Sequence, residues 1–235
     1  MALLGDGLLA IWNDIDPALE AEFTHWYLSE HFAERVGIPG FLRARRYVAA
    51  APGPGPEYAA LYETETADVL ASPAYIARLN DPTPLTTRML AQFRNTIRSV
   101  GHVAASVGQG VGGSMASLWL TPAADRAGAL ENWLRDTALP GLVAEAAVVA
   151  AHLIKVDPAL TRNDSTETKV RAEPDRIGDW ILLVEALSDA ALAAACAKWL
   201  SVDALGARGA AGESRRYRLM HCLVSDDVPP TPAAS

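Results

Sequence analysis

The predicted order of strands and helices occurs twice along this chain, and two pairs of tryptophans align the copies. Trp12 and Trp119 lie in the first predicted strand of each copy, and Trp26 and Trp133 lie in the first predicted helix. Both pairs are separated by 107 residues. A fixed offset shared by a strand and a helix is typical of a repeated structural unit. The sequence therefore predicts two diverged copies of one fold.

The first copy has the order strand, helix, strand, strand, helix, strand. Asp16 is a suitable N-cap for the first helix and Pro17 suits its first turn, while residues 51–56 are rich in proline and glycine and predict a hairpin loop. Alternating or continuous apolar runs mark the strands. The predicted elements are residues 7–15, 17–36, 41–49, 58–65, 66–79 and 95–107.

The second copy repeats this order after a glycine-rich stretch, 108–113. That stretch has no strand-to-helix context for a phosphate loop, so we interpret it as a connector. The predicted elements are residues 115–120, 125–139, 143–156, 180–187, 190–200 and 215–224. The tripeptides Leu-Tyr-Glu at 61–63 and Leu-Val-Glu at 183–185 match across the copies.

This order predicts an α+β fold with two tandem ferredoxin-like βαββαβ halves. Each half is expected to form an antiparallel sheet with both helices on one face, so the other face needs a cover, which the sheet of the other half supplies. We predict halves at 1–107 and 115–225, a linker at 108–114 and a disordered tail at 226–235. Residues 161–176 are predicted to be an exposed insertion. The space between the sheets is either filled by side chains or open to a small ligand.

Charge and composition exclude some functions. The formal net charge is −8 and the pI is about 5.1, which argues against a nucleic-acid partner. The cluster Arg43, Arg45 and Arg46 alternates with apolar residues and predicts a strand with a polar face. No segment is apolar enough to span a membrane and no targeting signal is visible, so we expect a cytoplasmic protein.

Metal and cofactor sites are not predicted. Cys196 and Cys222 are far apart and lack the paired spacing of zinc or redox motifs, so both are interpreted as buried thiols. His25 and His31 are six residues apart, which does not place them on one helix face. His152 is interpreted as a core or edge histidine, and His25 as a surface residue.

The first helix has a carboxylate within an apolar stripe. At 100° per residue Leu19, Phe23, Trp26, Tyr27 and Glu30 share one face, and His31 flanks Tyr27. A carboxyl beside a histidine and a phenol is a common acid/base arrangement, which makes Glu30 and His31 candidate catalytic residues. Alternatively, Glu30 reaches water or pairs with the arginines of strand 41–49, and His31 is favoured by the helix dipole at the helix end.

The same region carries a resemblance to a known family. Residues 25–47 read HWYLSEHFAERVGIPGFLRARRY, which resembles the WY..EH..E...PGF..ARRY signature of dimeric α/β barrel proteins similar to the EthD family. The resemblance implies the barrel fold and a ligand-sized cavity. Relatives include cofactor-free monooxygenases, polyketide cyclases, dehydratases and isomerases, and also proteins with no known activity. Some relatives bind haem, but no histidine here is nominated as a haem ligand.

Substrate-binding candidates come from the helix and from the last strand of the first copy. Trp26 and Tyr27 are expected to shape a pocket, and Arg98 and His102 share one face of their strand. Arg218 and His221 of the second copy form a comparable pair on opposite faces, and polar residues on outward faces are the alternative for both pairs.

When the two copies are aligned with the offset of 107 residues, Tyr27, Glu30 and His31 correspond to Leu134, Thr137 and Ala138. Any chemistry is therefore predicted in the first half only.

Two hypotheses about function follow. One is a cofactor-independent enzyme acting on a small hydrophobic, aromatic or polyketide-like molecule. The other is a noncatalytic binding or structural barrel. An open cavity bordered by Glu30 or His31 favours the enzyme, and a filled interior with both residues solvated favours the scaffold. A homodimer beyond the internal pseudo-dimer is compatible with both.

Overall fold

In the computed structural model, which describes residues 2–171 and 173–228, eight antiparallel strands form a closed barrel. Around the barrel the strands follow the order β1-β3-β2-β8-β5-β7-β6-β4, and β4 closes the circle against β1. The strands are β1 (Gly7–Asp14), β2 (Phe41–Ala49), β3 (Tyr58–Thr64), β4 (Arg94–Gly108), β5 (Ser114–Pro122), β6 (Val148–Val156), β7 (Trp180–Ala186) and β8 (Ala210–Val224).

Short helices lie outside this barrel. Those of the first half are α1 (Glu20–Trp26), α2 (Phe32–Val36), α3 (Pro73–Asn80) and α4 (Pro84–Leu90). Those of the second half are α5 (Ala127–Trp133), α6 (Leu139–Val143), α7 (Pro158–Thr161), α8 (Thr166–Val170), α9 (Asp189–Trp199) and α10 (Val202–Gly206). A π-helical turn joins α1 to α2 (Tyr27–His31), and another joins α5 to α6 (Leu134–Ala138).

The barrel consists of two ferredoxin-like sheets, β4-β1-β3-β2 and β8-β5-β7-β6. The 15-residue strands β4 and β8 are long enough to serve both sheets. The first part of β4 pairs with β1 and its end pairs with β6, and β8 likewise pairs with β5 and then with β2. The prediction of an α+β fold with two βαββαβ halves and helices outside is confirmed.

Side chains alternate between the two faces of each sheet, as the strand period of two requires. On β1, Leu8, Ala10 and Trp12 point into the barrel, and Leu9 and Ile11 point to the helices. Three buried apolar clusters result. The first lies between the sheet and the helices of the first half, and the second lies between the sheet and the helices of the second half. The third fills part of the barrel interior.

A buried ionic network occupies another part of the barrel interior. Arg43 donates two hydrogen bonds of 2.8 Å to Glu63, and Arg45 contacts Glu63 at 3.0 Å and Glu185 at 2.8 Å. His152 Nε2 lies 3.6 Å from Glu185. Of the two alternatives for the space between the sheets, side chains therefore fill most of it, while a pocket of about 370 Å³ borders Ile97 and Trp119 of the interior cluster.

The network also changes the interpretation of the arginine-rich strand. Arg43 and Arg45 are buried inside the barrel and Arg46 is buried beneath α1 on the other face, so the prediction of a strand with a polar face is replaced by one that is buried on both sides. The paired glutamates explain why two of these charges are accommodated inside.

Some predicted element boundaries were wrong. The helix predicted over 66–79 is a 3-10 turn (Ala67–Ala71) followed by α3, because Ser72 caps a new helix that starts at Pro73. Helix α4 was not predicted. The strand predicted from residue 143 begins at Val148, because α6 extends to Val143 and the chain then turns through Ala147, whose φ is 66°.

The segment predicted as an exposed insertion is instead folded against the first half. Residues 157–171, here called the α7–α8 segment, cover the helices and the outer face of the sheet in the first half, and Thr161, Ser165 and Glu167 are buried. The side chains of Arg98 and Arg35 bind this segment, which explains why its polar residues are buried.

Two further predictions concern the cysteines and the C-terminal tail. Cys222 is exposed, not buried, and Cys196 is partly buried. Ser225–Asp227 forms a 3-10 turn, and residues 229–235 of the predicted tail lie outside the described residues. No helix in the described part of the chain is long and apolar enough to cross a membrane.

Candidate functional site

A small, largely enclosed cavity lies in the first half between the outer face of the sheet and the helices. Leu9 and Ile11 of β1 form its floor, and the α7–α8 segment closes it. Its volume is about 20 Å³, room for roughly one water molecule. The polar side chains that line it and carry the argument below are Tyr27, His31, Arg35, Tyr62, Arg98 and Arg171.

The π-helical turn places Tyr27 and His31 on the cavity wall. A π turn inside an α-helix is rare and is frequent at functional sites. The His31 ring packs on Trp26 with centroids 4.1 Å apart and meets Tyr27 edge-to-face at 5.3 Å. This packing holds the imidazole in one orientation.

His31 is neutral at physiological pH. Burial lowers its pKa well below the usual value of 6.5, and the positive charges of Arg35, Arg171 and Arg46 lower it further. Its Nδ1 is buried and has no hydrogen-bond partner among the described residues. The imidazole is therefore a proton acceptor with an unused nitrogen.

Two phenols border the same space. Burial raises the pKa of Tyr27, and burial followed by the charge of Tyr27 raises the pKa of Tyr62 well above its usual value. Both hydroxyls therefore keep their protons at neutral pH. The Tyr62 hydroxyl is buried without a partner in the described part of the structure, so it is available as a hydrogen-bond donor or acceptor.

Arginines give the cavity a positive wall. Arg35 pairs with Glu167 of the α7–α8 segment, and Arg171 pairs with Asp175. Arg98 donates to the Thr161 carbonyl oxygen and lies 3.4 Å from the Tyr75 hydroxyl, with no carboxylate partner among the residues described.

Arg46 adds a fourth positive charge nearby, stacked on aromatic rings. Its guanidinium carbon lies 4.4 Å from the centroid of Tyr27, 4.6 Å from that of Phe23 and 5.2 Å from that of Tyr58. Burial lowers the pKa of Arg46. Cation–π contacts stabilise such a buried charge in part.

Together these groups suit one kind of chemistry. A neutral imidazole accepts a proton, and guanidinium groups in a buried site stabilise the anion that remains. The phenols supply hydrogen bonds that position an oxygen atom. The arrangement is therefore suited to forming or holding an oxyanion.

The structure brings three of the six predicted site residues to the cavity: Tyr27, His31 and Arg98. Trp26 lies behind His31, and its indole N–H donates to Thr86 Oγ1 at 2.9 Å. His102 is exposed, and its Nε2 lies 3.8 Å from the Asp157 carboxylate.

Glu30 lies outside the cavity. Its Oε1 accepts a hydrogen bond of 2.8 Å from Thr86 Oγ1 and another from the Thr83 hydroxyl. Glu30 thus fixes the start of α4, and it pairs neither with His31 nor with the arginines of β2. The π turn is the physical reason, because its wider i→i+5 spacing departs from the 100° per residue assumed for the helix face.

Sequence reasoning missed several polar lining residues, among them Arg35, Tyr62, Tyr75 and Arg171. Arg35 is eight residues after Tyr27 in the predicted helix, and this spacing is a sequence signal that could have identified Arg35 as a site residue. Tyr62 and Tyr75 had no local signal. Arg171 was assigned to an exposed insertion, although Ser165 is a good N-cap that indicates a helix there.

The corresponding region of the second half is apolar. Leu134, Ala138 and Leu142 occupy the positions of Tyr27, His31 and Arg35, and all three are buried in the second helix–sheet cluster. No group of three or more His, Cys, Asp or Glu side chains suited to a metal ion occurs within the described residues. The polar cavity belongs to the first half.

No family model and no curated protein matches this sequence. Solved structures do match. A structure described as an anthrone oxidase-like protein has a TM-score of 0.60 at 12% identity, covering 97% of this chain and 96% of that one. A provisionally assigned monooxygenase from Lactobacillus acidophilus has a TM-score of 0.58 at 8% identity, covering 94% and 97%. One from Fusobacterium nucleatum has a TM-score of 0.58 at 7% identity, covering 94% and 96%.

These similarities extend over nearly the whole chain, and their identities are low enough that they establish the fold alone. The chain has the dimeric α/β barrel fold. Function has to be argued from the cavity.

Proposed function

We propose that the cavity is the active site of a cofactor-independent enzyme that removes a proton from a small aromatic molecule, a phenol or an enolisable ketone. The observation that carries the proposal is the neutral, buried His31 with an unpartnered Nδ1, set among guanidinium groups and phenols. His31 is assigned the role of base. The names of the structural neighbours, which describe monooxygenases and an anthrone oxidase-like protein, support an enzyme.

The proton transfer needs no group from outside the chain. A C–H or O–H bond of the substrate breaks, its proton moves to the imidazole, and the electron pair stays on the substrate as an enolate or phenolate. Burial is the main cause of the low His31 pKa, and it makes the imidazole a weak base. The positive charges of Arg35, Arg171 and Arg46 act in the other direction on a bound acid, because they lower its pKa. Arg35, Arg98 and Arg171 stabilise the anion.

Oxidation by dioxygen is the proposed second step. For an anthrone, the carbanion adds dioxygen, one oxygen atom remains as the new ketone, and the other leaves as water with the two methylene hydrogens. The oxidant is dioxygen itself. An isomerisation or cyclisation would share the first step and consume no oxygen.

The test uses anthrone with the purified full chain. Deuterium exchange into the methylene group in heavy water reports the proton transfer, and an oxygen electrode reports the second step. The proposal predicts exchange well above the buffer rate and its loss in His31→Gln. His25→Gln is the matched control, because His25 is exposed on α1. Exchange in the variant at the wild-type rate contradicts the role of His31.

A noncatalytic barrel is the second candidate, and the small size of the closed cavity favours it. A ligand that stabilises the chain in a thermal-shift assay without any exchange or turnover would support this candidate. Glu30→Gln is expected to lower stability and to leave proton exchange intact, because Glu30 contacts Thr83 and Thr86 outside the cavity.

We also propose that the two halves arose by tandem duplication of an EthD-like unit, with halves at 1–107 and 115–225 joined by 108–114. The offset of 107 residues supports this, because it relates the starts of β1 and β5 and also the two π-helical turns. Glu63 and Glu185 support it further, because each points into the barrel and accepts a backbone N–H, from Leu4 and from Gly112 respectively.

A further inference from the structure

We infer that the ligand of this cavity is an acid. In the free protein, Glu167 and the Thr161 carbonyl oxygen of the α7–α8 segment accept hydrogen bonds from Arg35 and Arg98, and the anionic oxygens of the ligand replace these two acceptors. The inference rests on the proposed function only in that it uses the same cavity. It adds the class of substrate, an aromatic carboxylate, and the event that admits it.

The cavity is too small for an aromatic ring. A cavity of about 20 Å³ has room for roughly one water molecule and no aromatic ring. Three walls are the sheet and helices α1 to α4, which pack in one apolar cluster. The remaining wall is the α7–α8 segment, which belongs to the other half. Entry of a ring therefore displaces this segment.

Polar and apolar contacts with the first half hold the α7–α8 segment in place. Glu167 pairs with Arg35, and the Thr161 carbonyl oxygen accepts from Arg98. Thr166 N–H donates to Asn80 at the end of α3 at 3.0 Å. Thr161 Oγ1 also accepts from Val100 N–H at 2.9 Å and donates to the Val100 carbonyl oxygen at 3.2 Å, and Leu160 and Val170 pack against the apolar cluster of the first half. Of the polar contacts, those of Glu167 and of the Thr161 carbonyl oxygen end on buried arginines that line the cavity.

Displacement of the α7–α8 segment leaves two buried arginines without their acceptors. Arg35 and Arg98 are 2% and 3% exposed. A buried guanidinium that loses its partner is strongly destabilised, so a ligand that moves the segment has to bring new acceptors. A neutral ring offers only weaker acceptors, such as a carbonyl oxygen, whereas a carboxylate forms charge-assisted and often bidentate hydrogen bonds with arginine.

The charge of the site agrees with this. Arg98 and Arg46 are buried near the cavity and have no carboxylate partner among the described residues, and Arg35 Nη1 and Arg171 Nε are buried without a hydrogen-bond partner. An acidic ligand supplies the missing negative charge and the missing acceptors together.

The test compares salicylate with salicylamide, which is its neutral counterpart, by isothermal titration calorimetry with the full chain. We expect salicylate to bind at least about tenfold more tightly. Arg98→Gln is expected to remove this preference, because salicylate affinity falls more than salicylamide affinity. Arg216→Gln is the matched control, because Arg216 is exposed and pairs with Asp189 on the second half.

A second variant tests the replacement directly and does not remove a buried cation. Glu167→Gln weakens the internal competitor for Arg35, so salicylate affinity is expected to rise by about threefold or more. Glu145→Gln, which affects an acid paired with Lys198 on the second half, is expected to change nothing. Equal binding of acid and amide, no binding of salicylate to the wild-type chain, or weaker salicylate binding in Glu167→Gln would overturn the inference.

These results separate this inference from the proposed enzyme. Preferential salicylate binding combined with no His31-dependent exchange of anthrone would leave the acid site standing and contradict the proposed reaction. Exchange of anthrone combined with equal binding of acid and amide would do the reverse.

Discussion

Replacing Glu185 by glutamine removes one charge from the middle of the barrel and keeps the shape of the side chain. Glu185 accepts hydrogen bonds of 2.8 Å from Arg45 and 2.9 Å from the Gly112 N–H, and His152 Nε2 lies 3.6 Å away. Burial by itself would raise the pKa of Glu185, but Arg45 and His152 outweigh it and lower the pKa to about 2. The ionised form is thus favoured in the folded protein.

The size of the effect follows from this pKa. A fall from the ordinary value of 4.5 to about 2 is worth about 3 kcal/mol of folding free energy, at about 1.4 kcal/mol per pKa unit. Because the folded pKa is the lower one, this stability is complete above the unfolded pKa and is lost as the pH falls towards about 2. Glu185→Gln should therefore cost about 3 kcal/mol at neutral pH and progressively less below about pH 4.5.

Urea unfolding of wild type and variant over a range of pH measures this difference. Glu213→Gln is the control, because Glu213 is an exposed glutamate of the same half. A loss smaller than about 1 kcal/mol at neutral pH, or one that does not shrink in acid, would refute the reasoning that the ionic network stabilises the closed barrel.

Three further outcomes are expected. Gly141→Ala should lower the unfolding free energy by about 1–3 kcal/mol, since a methyl there would lie 2.3 Å from the Trp199 ring; urea unfolding should show no loss for Gly128→Ala, which meets nothing within 4 Å. The rate of His31-dependent exchange should show no histidine ionisation near neutral pH, because burial keeps the His31 pKa well below 6.5; a step close to pH 6.5 in the pH profile would contradict this. A thiol reagent followed by mass spectrometry should label exposed Cys222 before Cys196, whose pKa burial raises to about 11; faster labelling of Cys196 would contradict the fold around α9.

The sequence was sufficient to predict the architecture because the strands and helices of both copies have strongly periodic apolar residues. The offset between Trp12 and Trp119 aligns β1 with β5, and strand periodicity gave the remaining strands. Helix α4 was missed because Pro82 and Pro84 lie close together at its start, although Thr83 followed by Pro84 is a capped helix start. Local signals of this kind are easily read as loops.

The site was predictable only in part, since its walls come from distant segments. Tyr27 and His31 share one helix and were found from its pattern, and Arg98 was found from strand spacing. Arg35 of α2 and Tyr62 of β3 meet them through packing within the first half. Arg171 meets them because the α7–α8 segment crosses from the second half onto the first. A contact between halves has no period in the sequence.

The most direct test of the account is a crystal structure of the chain with salicylate, because the central claim is where the ligand binds. We predict density for the ring between Tyr27, His31 and Tyr62, the carboxylate on Arg35 and Arg98, and a displaced α7–α8 segment. Density between the two sheets inside the barrel, or beneath α5 and α9 of the second half, would contradict the claim.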